Sequence, residues 1–208
     1  MAAGFSRWNW SVGLLVVGLL VLLFFRDPRR HFAGTDDVLS APADGKVLSV
    51  DVVEDPAVGP GRFRRVVTFL NVFDVHVQRV PGPGQVVKSE LQPGAKVAAY
   101  RPDAGVVNEQ QVTVLRRDNG DLIGVRQIAG LVARRVVGYL HAGDRAERGR
   151  LLGVIKFGSR VDLLVPESYE ILVRPGDRVR NGETPMARLA QVTQATQAVP
   201  STPVSSSR

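Results

Sequence analysis

The sequence predicts a mainly β domain, sandwich-like and with few helices, carrying a hydrophobic anchor helix at its N-terminus. Three observations support this. Between Pro28 and Val173 short β-branched and apolar runs recur, punctuated by glycine, proline and aspartate. Helical periodicity is weak across that whole stretch. Before it, apolar residues and glycine run without interruption from Val12 to Phe25.

The anchor reading begins at Trp8-Asn9-Trp10-Ser11. Residues 8 to 25 are eighteen in number, and as a helix they rise about 27 Å at 1.5 Å each. A hydrocarbon core is about 30 Å thick, so length alone leaves a spanning and a surface-lying helix both open. Trp8 and Trp10 suit the membrane interface, and Arg26, Arg29 and Arg30 follow the apolar run at once. The larger positive cluster keeps the main domain on the cytoplasmic side of a cell membrane. A cleaved signal peptide has its positive charge before the apolar run, and no small-x-small site follows Phe25. Residues 1–32 therefore read as anchor and basic flank, 33–190 as the main domain, and 191–208 as a disordered tail rich in Gln, Thr, Ser and Pro.

Strands are expected at Lys46 to Val53, Arg64 to Leu70, Asp74 to Val80, Gln85 to Lys88, Val112 to Leu115 and Leu122 to Ile128. Further strands are expected at Leu131 to Leu140, Val154 to Phe157, Val161 to Val165 and Tyr169 to Val173. A faint repeat joins Gly143-Asp144-Arg145-Ala146-Glu147-Arg148-Gly149 to Gly176-Asp177-Arg178-Val179-Arg180-Asn181-Gly182. Such turns also occur in biotinyl and lipoyl carrier domains. A membrane-anchored carrier or binding module is thus the alternative reading, with Lys46 the lysine to test.

Composition narrows the chemistry. The chain of 208 residues has no cysteine, so disulfides, thiolate catalysis and cysteine-based metal sites are excluded. Its three histidines, His31, His76 and His141, form no HExxH spacing, and no metal site is expected. The net charge of +7 is scattered in arginine pairs without a basic run interleaved with aromatics. Nucleic acid is therefore not an expected partner.

Three segments hold residues suited to chemistry. In Gly158-Ser159-Arg160 a hydroxyl follows a conformationally free glycine and becomes a nucleophile if a base is close. Strand parity puts Ser159 on the apolar side with Val161, Leu163 and Val165, and Arg160 and Asp162 opposite. In Asp74-Val75-His76-Val77-Gln78 the same parity puts Asp74, His76 and Gln78 on one face, a plausible acid/base arrangement. In Ala41-Pro42-Ala43-Asp44-Gly45-Lys46, Asp44 either caps a turn or orients a histidine.

Taken together these segments resemble the phosphatidylserine decarboxylases, in their short bacterial form. The matching pieces are Phe25-Arg26-Asp27-Pro28, Ala41 to Val47, Asn71 to Pro81, Ala133 to Val137 and Ile155 to Asp162, in the family's order. The resemblance implies a proenzyme in which Ser159 attacks the Gly158 carbonyl and the chain is cut between them. A β chain of residues 1–158 and an α chain of residues 159–208 result, the latter blocked by a covalent pyruvoyl group derived from Ser159. This pyruvate cofactor would form a Schiff base with phosphatidylserine and accept the electrons left by carbon dioxide. Asp44 and His76 would serve self-cleavage with Ser159, and His76 would act as general acid/base. Longer relatives have two histidines three residues apart, whereas here Arg79 stands at the second place. The implied partners are phosphatidylserine, anionic membrane lipid and the two chains of one precursor, with a homo-oligomer left open. His141 has no motif to support it.

Overall fold

The computed structural model describes residues 2–131, 135–155 and 159–190, with side chains from residue 10 onward. Ala133 and Arg134, the Lys156-Phe157-Gly158 step, the side chains of Arg7 and Trp8, and the tail from Gln191 lie outside the described residues. The mainly β expectation holds. The apolar run is helix α1 (Ala2–Phe24), followed by the strands β1 (Val38–Ser40), β2 (Gly45–Glu54), β3 (Arg62–Leu70), β4 (Val77–Arg79) and β5 (Gly84–Gln92). A one-turn helix α2 (Ala104–Val107) precedes β6 (Gln110–Arg116), β7 (Leu122–Ile128), β8 (Val136–Gly138), β9 (Arg145–Ala146) and β10 (Leu151–Ile155). The chain continues through β11 (Ser159–Pro166), β12 (Tyr169–Ile171), β13 (Arg178–Val179) and β14 (Pro185–Leu189).

Long alternating segments make the large sheet. Its order is β13-β2-β3-β11-β7-β6-β5-β9, with two smaller sheets, β1-β14-β12 and β4-β10-β8. The two G-D-R segments explain this order, because they build the same substructure twice. Asp144 Oδ2 accepts the His141 N–H, and Asp177 Oδ2 accepts the Arg174 N–H. Gly143 N–H donates to Val86 O, and Gly176 N–H to Val47 O, each at 2.8 Å. Gly149 N–H donates to Val80 O and Gly182 N–H to Ala41 O. Each segment then adds a two-residue strand to one edge of the large sheet, β9 on β5 and β13 on β2.

The correspondence extends to Val38-Leu39-Ser40-Ala41-Pro42 and Val77-Gln78-Arg79-Val80-Pro81. These two face each other reciprocally, Ser40 N–H donating to Pro81 O and Arg79 N–H to Pro42 O. The eight-stranded order reads alike from either end under this matching, with β11 and β7 paired at its centre. The fold is therefore a pseudo-twofold pair of β units. The unit β4 to β10 is inserted between β3 and β11 of the other, and Ser159 begins the strand that returns from the insertion.

Parity on β11 behaves as read from the sequence. Val161, Leu163 and Val165 join the main core with Val66, Leu70, Ile155 and Tyr169. Leu164 packs on the other face with Val58, Phe63, Val112 and Val114. On that second face Arg160 and Asp162 form a buried two-point ion pair, Nε to Oδ1 at 2.6 Å and Nη2 to Oδ2 at 2.7 Å. The segment expected as a strand from Asp74 begins only at Val77. Asn71 to Asp74 turn instead, because Asp74 Oδ2 accepts the Asn71 N–H and Asn71 Oδ1 accepts the Phe73 N–H.

Helix α1 leaves most of its apolar side chains exposed, Leu14 at 72% and Leu22 at 71% among them. Among the described residues no helix is long and apolar enough to cross a membrane.

Candidate active site

The three candidate segments converge on one end of the large sheet. Ser159 opens β11 opposite Leu70, the last residue of β3. On the other side of β3, Lys46 pairs with Phe69. Gly45 takes φ +151°, and any Cβ there would strike the Phe69 carbonyl. Only glycine lets β2 approach β3 so closely, and this sets Asp44 just beyond the sheet end. The chain leaving Leu70 makes the Asn71–Asp74 turn and brings His76 back beneath β10, where its carbonyl accepts the Ile155 N–H at 3.3 Å.

Ser159 is fully buried, and its Oγ has no hydrogen-bond partner among the described residues. His76 is 1% exposed. Its Nδ1 lies 2.9 Å from the Asp74 carbonyl, an acceptor only, so Nδ1 carries the proton and Nε2 the lone pair. Nε2 is likewise buried without a partner. Burial holds the imidazole below its ordinary pKa, against the opposing pull of the Asp74 carbonyl and carboxylate. The site thus holds a neutral base and a hydroxyl, both buried and neither hydrogen-bonded at Nε2 or Oγ among the described residues. Unpartnered buried polar atoms are costly, and a catalytic role is one explanation for keeping them.

Asp44 is anchored differently. Its Oδ2 accepts from Arg30 Nη2 at 2.8 Å and its Oδ1 from the Asn181 N–H at 2.7 Å. Burial raises its pKa, and the Asn181 amide and Arg30 guanidinium pull it back. The contact to the His76 ring nitrogen is made by the Asp74 carbonyl, while Asp44 ties the segment after α1 to the site through Arg30. Arg79 serves the same join: it pairs with Asp27 and donates to Gly149 O at 2.7 Å and to Pro28 O at 3.3 Å. The arginine at the second histidine's place is therefore a clamp on the Arg26-Asp27-Pro28 segment. His31 and His141 are exposed. Lys46 lies within β2 between Phe69 and Arg178, not at a hairpin tip, which disfavours the carrier reading.

Sequence reasoning missed Arg30, Asn181, Phe24 and Gln127. Phe24 ends α1 and lays its ring on His76, centroids 4.1 Å apart. Gln127 donates to Gln78 Oε1, and Gln78 Nε2 donates to the His76 carbonyl, each at 2.8 Å, so a buried amide chain steadies the histidine. Among the places where the two repeat copies differ are Asp44 against Pro83 and Asn181 against Arg148. That asymmetry was the available signal for Asn181.

A pH prediction follows from His76. Its folded pKa is lowered, so below the ordinary value of about 6.5 the unfolded chain binds a proton the folded chain resists. Stability then rises with pH up to that value and is lost as pH falls beneath it. Urea unfolding of the uncut chain between pH 7.5 and 5 should show this loss, and His76→Gln should flatten it. An equal slope in the variant would remove His76 as the cause.

A mainly β chain in which a buried serine opens the strand paired to Leu70 and a buried neutral histidine follows the turn leaving Leu70 is consistent with a self-modifying or acyl-transfer protein. Comparison narrows it: a phosphatidylserine decarboxylase family profile matches residues 17–187. A phosphatidylserine decarboxylase proenzyme of Symbiobacterium thermophilum is 44% identical over 185 residues, covering 88% of this chain and 86% of the relative. The proenzyme of Saccharopolyspora erythraea is 44% identical over 191 residues, covering 89% and 81%. That of Magnetococcus marinus is 42% identical over 194 residues, covering 91% and 88%. The chain belongs to the phosphatidylserine decarboxylase family.

Proposed function

We propose that this chain cuts itself between Gly158 and Ser159 and then decarboxylates phosphatidylserine to phosphatidylethanolamine and carbon dioxide. The observation that carries the reading is that Ser159 Oγ and His76 Nε2 are both buried without a hydrogen-bond partner among the described residues. His76 is the base that takes the Oγ proton. The oxygen attacks the Gly158 carbonyl carbon, the C–N bond breaks, and an ester joins the two halves. Elimination releases Gly158 as a carboxylate, and one water then converts the residue left at 159 to pyruvoyl with loss of ammonia.

Ser159 fits the role of precursor because its hydroxyl makes no hydrogen bond to another described residue that the conversion would break. The pyruvoyl carbonyl, once formed, supplies the electron sink for decarboxylation. His76 keeps its proton at Nδ1, takes a second at Nε2 from the ammonium group of the bound substrate, and delivers that one to the carbon that loses carbon dioxide. Asp44, with Arg30 and Asn181, fixes the anchor flank against this site.

Residues 33–190 make the catalytic domain on this reading, on the cytoplasmic face of the cell membrane with α1 in or on the bilayer. Arg26 and Arg29 beside the helix favour an acidic leaflet, by about 1 kcal/mol each near the surface. The two chains stay joined after the cut because α-chain strands are woven among β-chain strands. β11 lies between β3 and β7, β13 pairs with β2, and β14 with β1. Without denaturant the two pieces should co-elute on size exclusion; separation of the 159–208 piece would contradict this reading.

The deciding experiment is intact mass spectrometry of purified protein alongside a phosphatidylserine vesicle assay. Two chains, 1–158 and an N-terminally blocked 159–208, together with carbon dioxide release, are expected. A single uncut chain that is nonetheless active would sink the proposal.

A further inference from the structure

The last turns of α1 and the turn before His76 enclose a groove of about 320 Å³. Val17, Leu20, Val21, Phe24, Val72 and Phe73 supply most of its walls, and Arg26 is the charged residue lining it. Val72 is 52% and Phe73 73% exposed, an apolar investment at a turn tip that folding alone does not require. Arg26 is not a loose surface charge. Its Nη1 donates to Leu23 O and its Nη2 to Phe73 O, each at 2.7 Å, so the guanidinium bridges the helix end and the turn. Phe24 is shared: it lines the groove and its ring also rests on His76.

An occupant must therefore be apolar along its length, anionic where it passes Arg26, and able to reach toward His76 beyond Phe24. We propose that the groove seats an acyl chain of the phospholipid substrate, that Arg26 faces its phosphodiester, and that Phe24 passes groove occupancy on to His76. This deepens the decarboxylase reading and rests on it. The acyl chain presses Phe24 onto the imidazole, so binding energy from the non-reacting tail is realised at the proton donor. The tail then raises kcat as well as lowering KM. Asp74 and Arg26 are the charged groups acting on the histidine, and Arg178 pairs with Asp74 at 2.9 Å. None of these is altered by removing the Phe24 ring.

The test compares dihexanoyl phosphatidylserine with glycerophosphoserine, which has the head group but no chains, on the processed full-length protein in detergent. The kcat for the diacyl substrate should exceed that for the chainless one by about 100-fold. Phe24→Ala should cut this kcat ratio to about 10 or less, and Phe24→Tyr should restore it. Val72→Trp, which fills the groove, should lower the ratio of kcat/KM values about tenfold. Unchanged ratios in Phe24→Ala and Val72→Trp would overturn the proposal. A second arm needs no catalysis. In vesicles, a phospholipid with a photoactivatable acyl chain should label Val72–Phe73 in uncut Ser159→Ala. The matching diacylglycerol probe, lacking phosphate, should label it several-fold less. No labelling there, equal labelling by both probes, or cross-links only between two copies of the chain would overturn it. If labelling succeeds while neither substrate is turned over, the decarboxylase reading fails and the lipid groove stands.

Discussion

Ser159→Ala should remain one chain of 208 residues, release no carbon dioxide from phosphatidylserine, and melt at or slightly above the temperature of the uncut wild-type precursor. The first two outcomes follow if Ser159 is both the nucleophile of the cut and the source of the electron sink, since no other group supplies either. Activity should fall to the assay floor, about 10⁴-fold or more, because the variant lacks the reactive centre altogether. The third outcome separates chemistry from folding. A buried hydroxyl without a partner has lost water and gained nothing in exchange, so removing it relieves a desolvation cost of about 1–3 kcal/mol. Ser159 is such a group. Its loss leaves a volume smaller than a methyl, and the flanking β3 and β7 pairings use only backbone. Mass spectrometry, carbon dioxide release and calorimetry on one preparation read all three. Normal cutting would remove Ser159 from the mechanism, and a large fall in Tm would mean that its hydroxyl is structural.

Much of the fold could be read from residue patterns, because long strands carry their own period. β2, β3, β7 and β11 were legible from alternation, and the burial of Ser159 followed from parity with Val161 and Leu163. The short strands were not legible. β9 and β13 are two residues each and exist only because a G-D-R turn sets them on a sheet edge. The faint repeat was visible in sequence, but its meaning needed the pairing of Ser40 with Pro81 and of Arg79 with Pro42, contacts between distant segments. The site divides in the same way. Ser159, His76 and Asp44 sit in recognisable local motifs. Arg30, Asn181 and Phe24 act through partners far along the chain, Arg30 and Asn181 on Asp44 and Phe24 on His76, and no local pattern encodes such a contact.

Arg160→Leu should destabilise the uncut chain by about 3–5 kcal/mol, the cost of leaving one member of a buried ion pair alone. Asp162 is 1% exposed, and burial pushes its pKa up. Arg160 opposes this first, through two short hydrogen bonds, and Arg65 and Arg126 add weaker attraction. Neither of those arginines is spare. Arg65 makes a two-point contact with Asp51, and Arg126 pairs with Asp55 and donates to Gln110 Oε1. With Arg160 gone, Asp162 must either stay charged without its partner or take up a proton. The loss should therefore shrink as pH falls, since a protonated Asp162 is no longer a buried charge. The sign is that of a carboxyl with a raised folded pKa: its penalty is absent below the unfolded value of about 3.9 and grows as pH rises. At neutral pH the Tm should drop by about 10 °C or more. Pairing Arg160→Leu with Asp162→Leu should recover more than half of that, because an apolar pair of similar shape is often neutral. Cutting should slow in the single variant and recover in the double, since β11 must hold Ser159 in place before the bond breaks. Denaturant curves from pH 5 to 8 and gel densitometry of the cut chain would check both. A single variant as stable as wild type at pH 8 would show that the pair is not what fixes the start of β11.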